Sequence, residues 1–449
     1  MLLHRIPKTI IIVTLGFLLL QGCATSARKS AGMRDALMQG RPDLALTEVE
    51  RSGDTKDVML NMNRGMLRRM NRDYTGSNVA LEAAKKEIDA LYGISVTEHA
   101  GALIVNDETI SFKGDRFEQV LVHAYKALNY ISLGQLDSAR VEMLQADVKM
   151  MEWGETPEED PFTRYLTGII FEALGETDDA RIAYSKAVNV YKKTKSKQGL
   201  DVPTQLKNDL LFMLSKSGMD NELQIYKTEF GMPNYKMPDT NGMGELVVLM
   251  HNGLAPQRDQ TGIQTYSTEM SLNIRIAVPT YPRPPAYVNQ MRLQVDNQQR
   301  VLEPIENIDG LARAALADDI AGITVRAVAR VVVKKKTEKK TGEKRGDLAQ
   351  LAMLVVNTVT EIADTRCWNT LPQQIALSRI YLPEGAHQLK IEVIGQSGRV
   401  VDSYDMNLMI KAGRKTIISE HWAAPRPMVT APVPAPAPAQ AATTATRGY

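Results

Sequence analysis

The sequence predicts an α+β multidomain chain: an N-terminal α-solenoid of paired helices, then a C-terminal β-sandwich-like domain with an inserted helical hairpin. Three observations predict it. From about Lys29 to Met232 the chain is rich in Ala, Leu, Met, Lys and Glu and poor in proline, which favours helix. From Gly242 onward apolar and polar residues alternate, as in Leu272, Ile274, Ile276 and Val278, the period of half-buried strands. Within that second part, Leu311 to Val333 and Asp347 to Ile362 are long runs without proline that read as two helical arms. The expected division is a signal segment (1–22), a tether (23–30), a helical repeat domain (31–235), a β-rich domain (242–422) carrying the hairpin 311–362, and a Pro/Ala-rich tail (423–449).

The N-terminal segment carries an address. Arg5 and Lys8 precede an apolar run from Thr9 to Leu20, too short to span a bilayer core of about 30 Å. The run ends in Leu20-Gln21-Gly22-Cys23, a small residue followed directly by cysteine, and so resembles the lipobox of bacterial lipoprotein precursors. That resemblance implies lipidation at Cys23. Ala24, where an aspartate would imply retention at the inner membrane, implies the outer membrane and a chain facing the periplasm. An ordinary signal peptide and an N-terminal anchor helix are the alternatives. Acyl chains stabilise membrane attachment by about 0.8 kcal/mol per buried methylene, so more than one chain makes a durable anchor.

Composition narrows the function classes. The chain has 449 residues, enough for two or three domains. Its 54 basic and 52 acidic residues nearly balance, so no global field points to nucleic acid. Of two cysteines, Cys23 goes to lipid and Cys367 is left without an intramolecular disulfide partner. Six scattered histidines include no His-Glu-x-x-His, and no metal or other cofactor is expected. No catalytic residues are assigned.

The helical region repeats. Ala127, Tyr130, Gly134, Leu136, Ala139, Met143 and Ala146 share their spacing with Gly168, Phe171, Gly175, Thr177, Ala180, Tyr184 and Ala187. A small residue, an aromatic three on, a turn glycine and two alanines seven apart are similar to the tetratricopeptide pattern, in which small side chains let paired helices approach. Gly65, Tyr74, Leu81 and Ala84 fit the register with Arg72 at the turn position, while Gly40 with Ala45 and Gly218 with Leu223 read as worn terminal units. Gly134 and Gly175 stand 41 apart, which places an insertion of about seven residues near Gly154 to Pro161 against a unit of about 34. The stretch Tyr92 to Asp115 reads as a loop or short hairpin between repeats. Stacked pairs form a groove lined by the first helix of each pair, where protein partners usually bind; Lys126 and Asn129 are candidates for that lining.

In the second half, Leu389 to Val393 and Tyr404 to Ile410 alternate about a glycine-bounded turn and predict an antiparallel hairpin. The two helical arms are joined by a basic tip, Lys334, Lys335, Lys336, Lys339, Lys340, Lys344 and Arg345, which reads either as a solvated loop or as a contact for lipid phosphate or an acidic partner. Asp364, Arg366, Cys367 and Trp368 form the tightest cluster of special residues. With no neighbouring histidine to act as a base, Asp364, Arg366 and Trp368 read as a structural joint. The tail, Ala-Pro-Val-Pro-Ala-Pro-Ala-Pro, favours extended polyproline II at about 3.1 Å per residue.

At Val247 to Pro256, Thr324 to Lys334 and Ala363 to Pro372 the chain resembles a family of uncharacterised bacterial tetratricopeptide-containing outer-membrane lipoproteins. Genes of that family commonly lie beside those of small lipoproteins similar to penicillin-binding-protein activators, which implies an envelope-assembly setting and no particular reaction. The expected function is therefore a protein-binding scaffold or adaptor. It works through the groove and a second interface on the β domain, with envelope proteins or peptides as partners, the N-terminal lipid in the membrane, self-association open and nucleic acid excluded. An envelope glycan or peptidoglycan enzyme and a structural subunit of a secretion or motility complex are the rival readings.

Overall fold

A computed structural model describes residues 30–92, 111–153, 159–267, 272–283, 287–345 and 363–423. Cys23 and its signal segment, residues 93–110 and 154–158, the second helical arm at 347–362 and the tail beyond residue 423 lie outside the described residues.

Among the described residues five helix hairpins follow one another. They are α1 (residues 30–38) with α2 (Pro42–Glu50), α3 (Val58–Met70) with α4 (Tyr74–Tyr92), α5 (Arg116–Ser132) with α6 (Leu136–Glu152), α7 (Pro161–Leu174) with α8 (Thr177–Gln198), and α9 (Thr204–Lys216) with α10 (Asp220–Glu229). One turn closes all five. Gly40, Arg72, Gly134, Gly175 and Gly218 each hold a positive φ. The amide of the next residue then reaches back five positions, as from Gln135 to Tyr130 (2.8 Å) and from Glu176 to Phe171 (2.9 Å), giving the left-handed cap that satisfies the last carbonyls of a helix. Arg72 adopts this conformation at φ 63 although it has a Cβ.

Small residues bring the two helices of a pair together. A Cβ on Gly65 would lie 2.6 Å from Leu81, and one on Gly168 would lie 2.3 Å from the Tyr184 ring, closer than side-chain carbons approach one another. Ala127, Ala139, Ala146, Ala180 and Ala187 are fully buried in the same apolar core, and Gly134 and Gly175 are the turn residues themselves.

Among the described residues the strands form three sheets. In the first, β10 (Lys415–Trp422) runs parallel to β1 (Met243–Asn252), and β7 (Gln374–Pro383) and β6 (Glu303–Asn307) complete the order β10-β1-β7-β6. In the second, β5 (Gln298–Val301), β4 (Val288–Val295), β8 (Gly385–Gly395) and β9 (Val400–Ile410) lie in that order, with β8 and β9 antiparallel. β2 (Asp259–Ser267) and β3 (Leu272–Thr280) pair separately. Leu246, Val248 and Met250 of β1 share one apolar cluster with Leu293 of β4 and Ile391 of β8. The alternate residues Val247 and Leu249 join Tyr125, Tyr165 and Leu210 of the helices. β1 is thus buried on both faces, which explains its continuous apolar run.

The basic stretch corrects the expectation of a tip. α11 runs unbroken from Ile308–Arg345 (38 residues), so Lys334, Lys335, Lys336, Lys339, Lys340, Lys344 and Arg345 belong to the helix and not to a connecting loop. Lys and Glu are good helix formers, and no proline interrupts them. α11 packs against α8 and β3. Among the described residues no helix is long and apolar enough to cross a membrane.

Candidate functional site

The inner face of the repeat array is closed by the chain's own first sheet. Period-two alternation turns Glu245, Val247, Leu249 and His251 of β1 toward the helices, with Ile375, Leu377 and Arg379 on β7 and Lys415, Ser419 and His421 on β10. Opposite them stand residues from the first helices of the last four pairs: Arg69 on α3, Tyr125 and Asn129 on α5, Tyr165 and Glu172 on α7, and Asp209 on α9. The groove expected to receive partners is therefore filled. Asn129 is fully buried and bonded to Arg69 (2.7 Å), Ser77 (2.8 Å) and Asn78 (2.9 Å). Lys126 is likewise engaged, donating to Glu82 and Glu142 at 2.5 Å each. Both candidates for a partner-binding lining are occupied within the chain.

Three polar clusters lie along this seam. In the first, Arg379 donates to Glu172 (2.7 Å), Asp209 (2.6 Å) and Glu245 (2.6 Å), while Lys415 pairs with Glu172 (2.7 Å) and Glu245. Tyr184 and Tyr165 donate to Glu172 (2.6 Å) and Asp209 (2.5 Å). Three carboxylates thus face two cations, with Arg379, Asp209 and Glu245 buried and Glu172 and Lys415 partly so. Burial pushes Asp209 up to about 6 against the pull of Arg379. Burial acts on Glu172 in the same direction, but Arg379 and Lys415 overcome it and hold Glu172 at about 2.

The second cluster stacks the His251 and His421 rings at 4.3 Å. Tyr125 shares a hydrogen bond with His251 (3.2 Å), and Ser419 bonds both His251 (2.9 Å) and Arg69 (2.6 Å). Burial drives both histidines well below their usual range, so they are neutral at neutral pH.

The third cluster contains Asp364, Arg366 and Trp368. Asp364 pairs with Arg366 (2.8 Å), whose guanidinium lies over the Phe112 ring, and Trp368 is buried with its amide donating to Glu118 (2.7 Å). Arg258 bridges Asp115 (2.6 Å) and the Tyr281 hydroxyl (3.1 Å) beside them. Burial pushes the Cys367 thiol up to about 12, which keeps it protonated and unreactive as a nucleophile.

Among the described residues, two cavities open on the seam and a third lies between α5, α8 and α11. One of about 410 Å³ reaches Arg379 and Asp209, one of about 270 Å³ reaches Arg69 and His421, and one of about 170 Å³ is lined by Asp115, Asp160, Asp318 and Asp319. Among the described residues no group of three or more His, Cys, Asp or Glu side chains is placed to hold a metal ion. Sequence reasoning misses Glu245, Arg379, His251 and His421. The signal available for them is a charged or polar residue inside an otherwise apolar strand, which in a central strand requires a partner.

Comparison with protein-family models and with curated proteins returned no match. Among solved structures, a MamA protein (AMB-1) is 13% identical, covering 46% of this chain and 97% of its own, at a TM-score of 0.29. The apo form of RapI is 13% identical, covering 49% and 57%, at 0.35. Aspartyl phosphate phosphatase F from Bacillus subtilis is 14% identical, covering 43% and 46%, at 0.29. Superpositions this loose carry nothing beyond that likeness.

Proposed function

We propose that the chain is a lipid-anchored adaptor of the cell envelope, held at the outer membrane through Cys23 and facing the periplasm, which binds envelope proteins on the outer side of its helix array. The lipobox-like Leu20-Gln21-Gly22-Cys23 supports the anchor. One observation carries the outward binding: α6 leaves Val141, Leu144, Val148 and Met151 between 41 and 67% exposed, one face of one helix at three- and four-residue spacing. Soluble proteins usually cover a contiguous apolar stripe of that kind with a partner. The second helices are also the face that remains once the inner one is filled.

Two experiments test the proposal. Cys23→Ser should release the protein from the outer-membrane fraction into the soluble periplasm; continued fractionation with the outer membrane contradicts the anchor. A photo-crosslinking residue at position 148 in intact cells should capture a specific envelope protein. Failure to capture any, together with cleavage of peptidoglycan by the purified chain, contradicts the adaptor. The enzyme reading draws on Asp160 and Glu306, two fully buried carboxyls that act on one another, with burial and Asp160 pushing Glu306 well above the usual carboxylate range. If that pair is catalytic, Glu306→Gln abolishes the cleavage.

A further inference from the structure

Two arginines are fully buried at the seam, and they differ in one respect. Arg379 sits among three carboxylates, whereas Arg69 donates only to neutral acceptors. Its Nε donates to His421 Nε2 (3.3 Å), one Nη to Asn129 Oδ1 (2.7 Å) and the other to Ser419 Oγ (2.6 Å). Its guanidinium lies 5.7 Å from the Tyr74 ring and 6.0 Å from the Tyr125 ring. The histidines beside it are uncharged, and Glu420, the acid whose charge acts on it, is bonded to Arg72 at 3.0 Å. A guanidinium cannot shed its proton to escape this environment, so burying it without a counter-ion is costly. Two of its five N–H donors have no partner among the described residues.

The cavity of about 270 Å³ opens beside this guanidinium. Arg69 and Arg72 line it from the end of α3 and the turn after it, and Ser419, Glu420 and His421 line it from β10, with Tyr404 beyond. We propose that this cavity binds an oxyanion, a phosphate or carboxylate group, whose oxygens take the free donors of Arg69 and share Arg72 with Glu420. Planar guanidinium groups match both kinds of oxyanion with paired hydrogen bonds. Glu420 is the resident competitor: its hold on Arg72 weakens the site for a ligand. A site of this kind ties the β10 strand to the turn between α3 and α4, so ligand binding also clamps sheet to helices.

The test is a calorimetric titration of the purified full-length chain with inorganic phosphate and, separately, with acetate, each against chloride at fixed ionic strength. Saturable binding of at least one oxyanion is expected. Phosphate alone points to a phosphorylated ligand, and acetate alone or both point to a carboxylate-bearing one. Arg72→Ala, a mostly exposed side chain, should weaken binding several-fold, and Glu420→Gln should tighten it several-fold. Arg69→Met should abolish saturation; if that variant does not fold, the opposite shifts of the other two carry the test. Absence of saturable binding by either oxyanion, or binding that neither Arg72→Ala nor Glu420→Gln changes, overturns the proposal.

Discussion

Gly168→Ala is the sharpest probe of how the helix pairs close. The added methyl would stand 2.3 Å from Cδ1 and Cε1 of Tyr184, so the ring must retreat by on the order of an ångström to reach ordinary contact. The ring has nowhere to go at low cost. Tyr184 is fully buried, donates to Glu172 at 2.6 Å and accepts from Arg379 at 3.1 Å, so its retreat breaks into the ion cluster at the seam. Overpacking costs about 1–3 kcal/mol, and a hydrogen bond to a charged group contributes about 1.5–3 kcal/mol. Against these stands the gain of about 1 kcal/mol from alanine over glycine in a helix. The net expectation is a loss of about 2–4 kcal/mol. Urea unfolding followed by circular dichroism measures it, with Gly322→Ala on exposed α11 as the control: there the nearest atom is the end of the flexible Arg326 side chain at 3.4 Å, and stability should hold or rise. A Gly168→Ala protein as stable as the wild type would refute the close packing of α7 on α8.

Removing the cation at the other side of that contact gives a second prediction. Arg379→Met leaves Glu172, Asp209 and Glu245 facing one another with Lys415 alone, and should cost about 3–5 kcal/mol in the same unfolding assay. A loss below 1 kcal/mol on that scale counts against the cluster. Asp209 also sets a pH dependence. Its folded pKa, pushed up to about 6, lies above its unfolded value near 3.8, so the stability it contributes is full below pH 3.8 and is lost as pH rises through about 6. The two-unit difference corresponds to about 3 kcal/mol. Between pH 4 and 7 the wild type should therefore lose stability relative to Asp209→Asn, and parallel curves would contradict the assignment. Glu172, held at about 2, acts only below pH 4.5 and so touches this window at its acid end alone.

What the sequence discloses depends on whether the determinants are local. The five turns are legible because each needs one residue able to hold a positive φ, and four of them, all but the turn at Gly218, keep a small residue seven positions earlier or five later within a single hairpin. Arg72 shows that the spacing carries the signal even where the glycine is lost. The seam is not legible in the same way. Glu245 and Arg379 lie 134 positions apart in strands that each read as ordinary apolar runs, and nothing local says that they meet over Glu172 and Asp209. A repeat array read by itself has an open inner face, and only the pairing of β1 with both β7 and β10 shows what fills it. The run from Lys334 to Arg345 misleads for a different reason. Its charge suggests a loop, but Lys and Glu sustain a helix whenever no proline or glycine-rich turn intervenes.

The account rests on the chain's own sheet sealing its helix array. A protease site placed at the exposed Lys236 to Asp239, between α10 and β1, allows the backbone to be cut there in the folded protein. Size-exclusion chromatography of the cut protein under native conditions should give a single species the size of the uncut chain, because the seam of ion pairs and apolar contacts still joins the two pieces. Separation of a helical fragment from a β fragment would contradict the account, since it would mean that the inner face is free to receive another molecule.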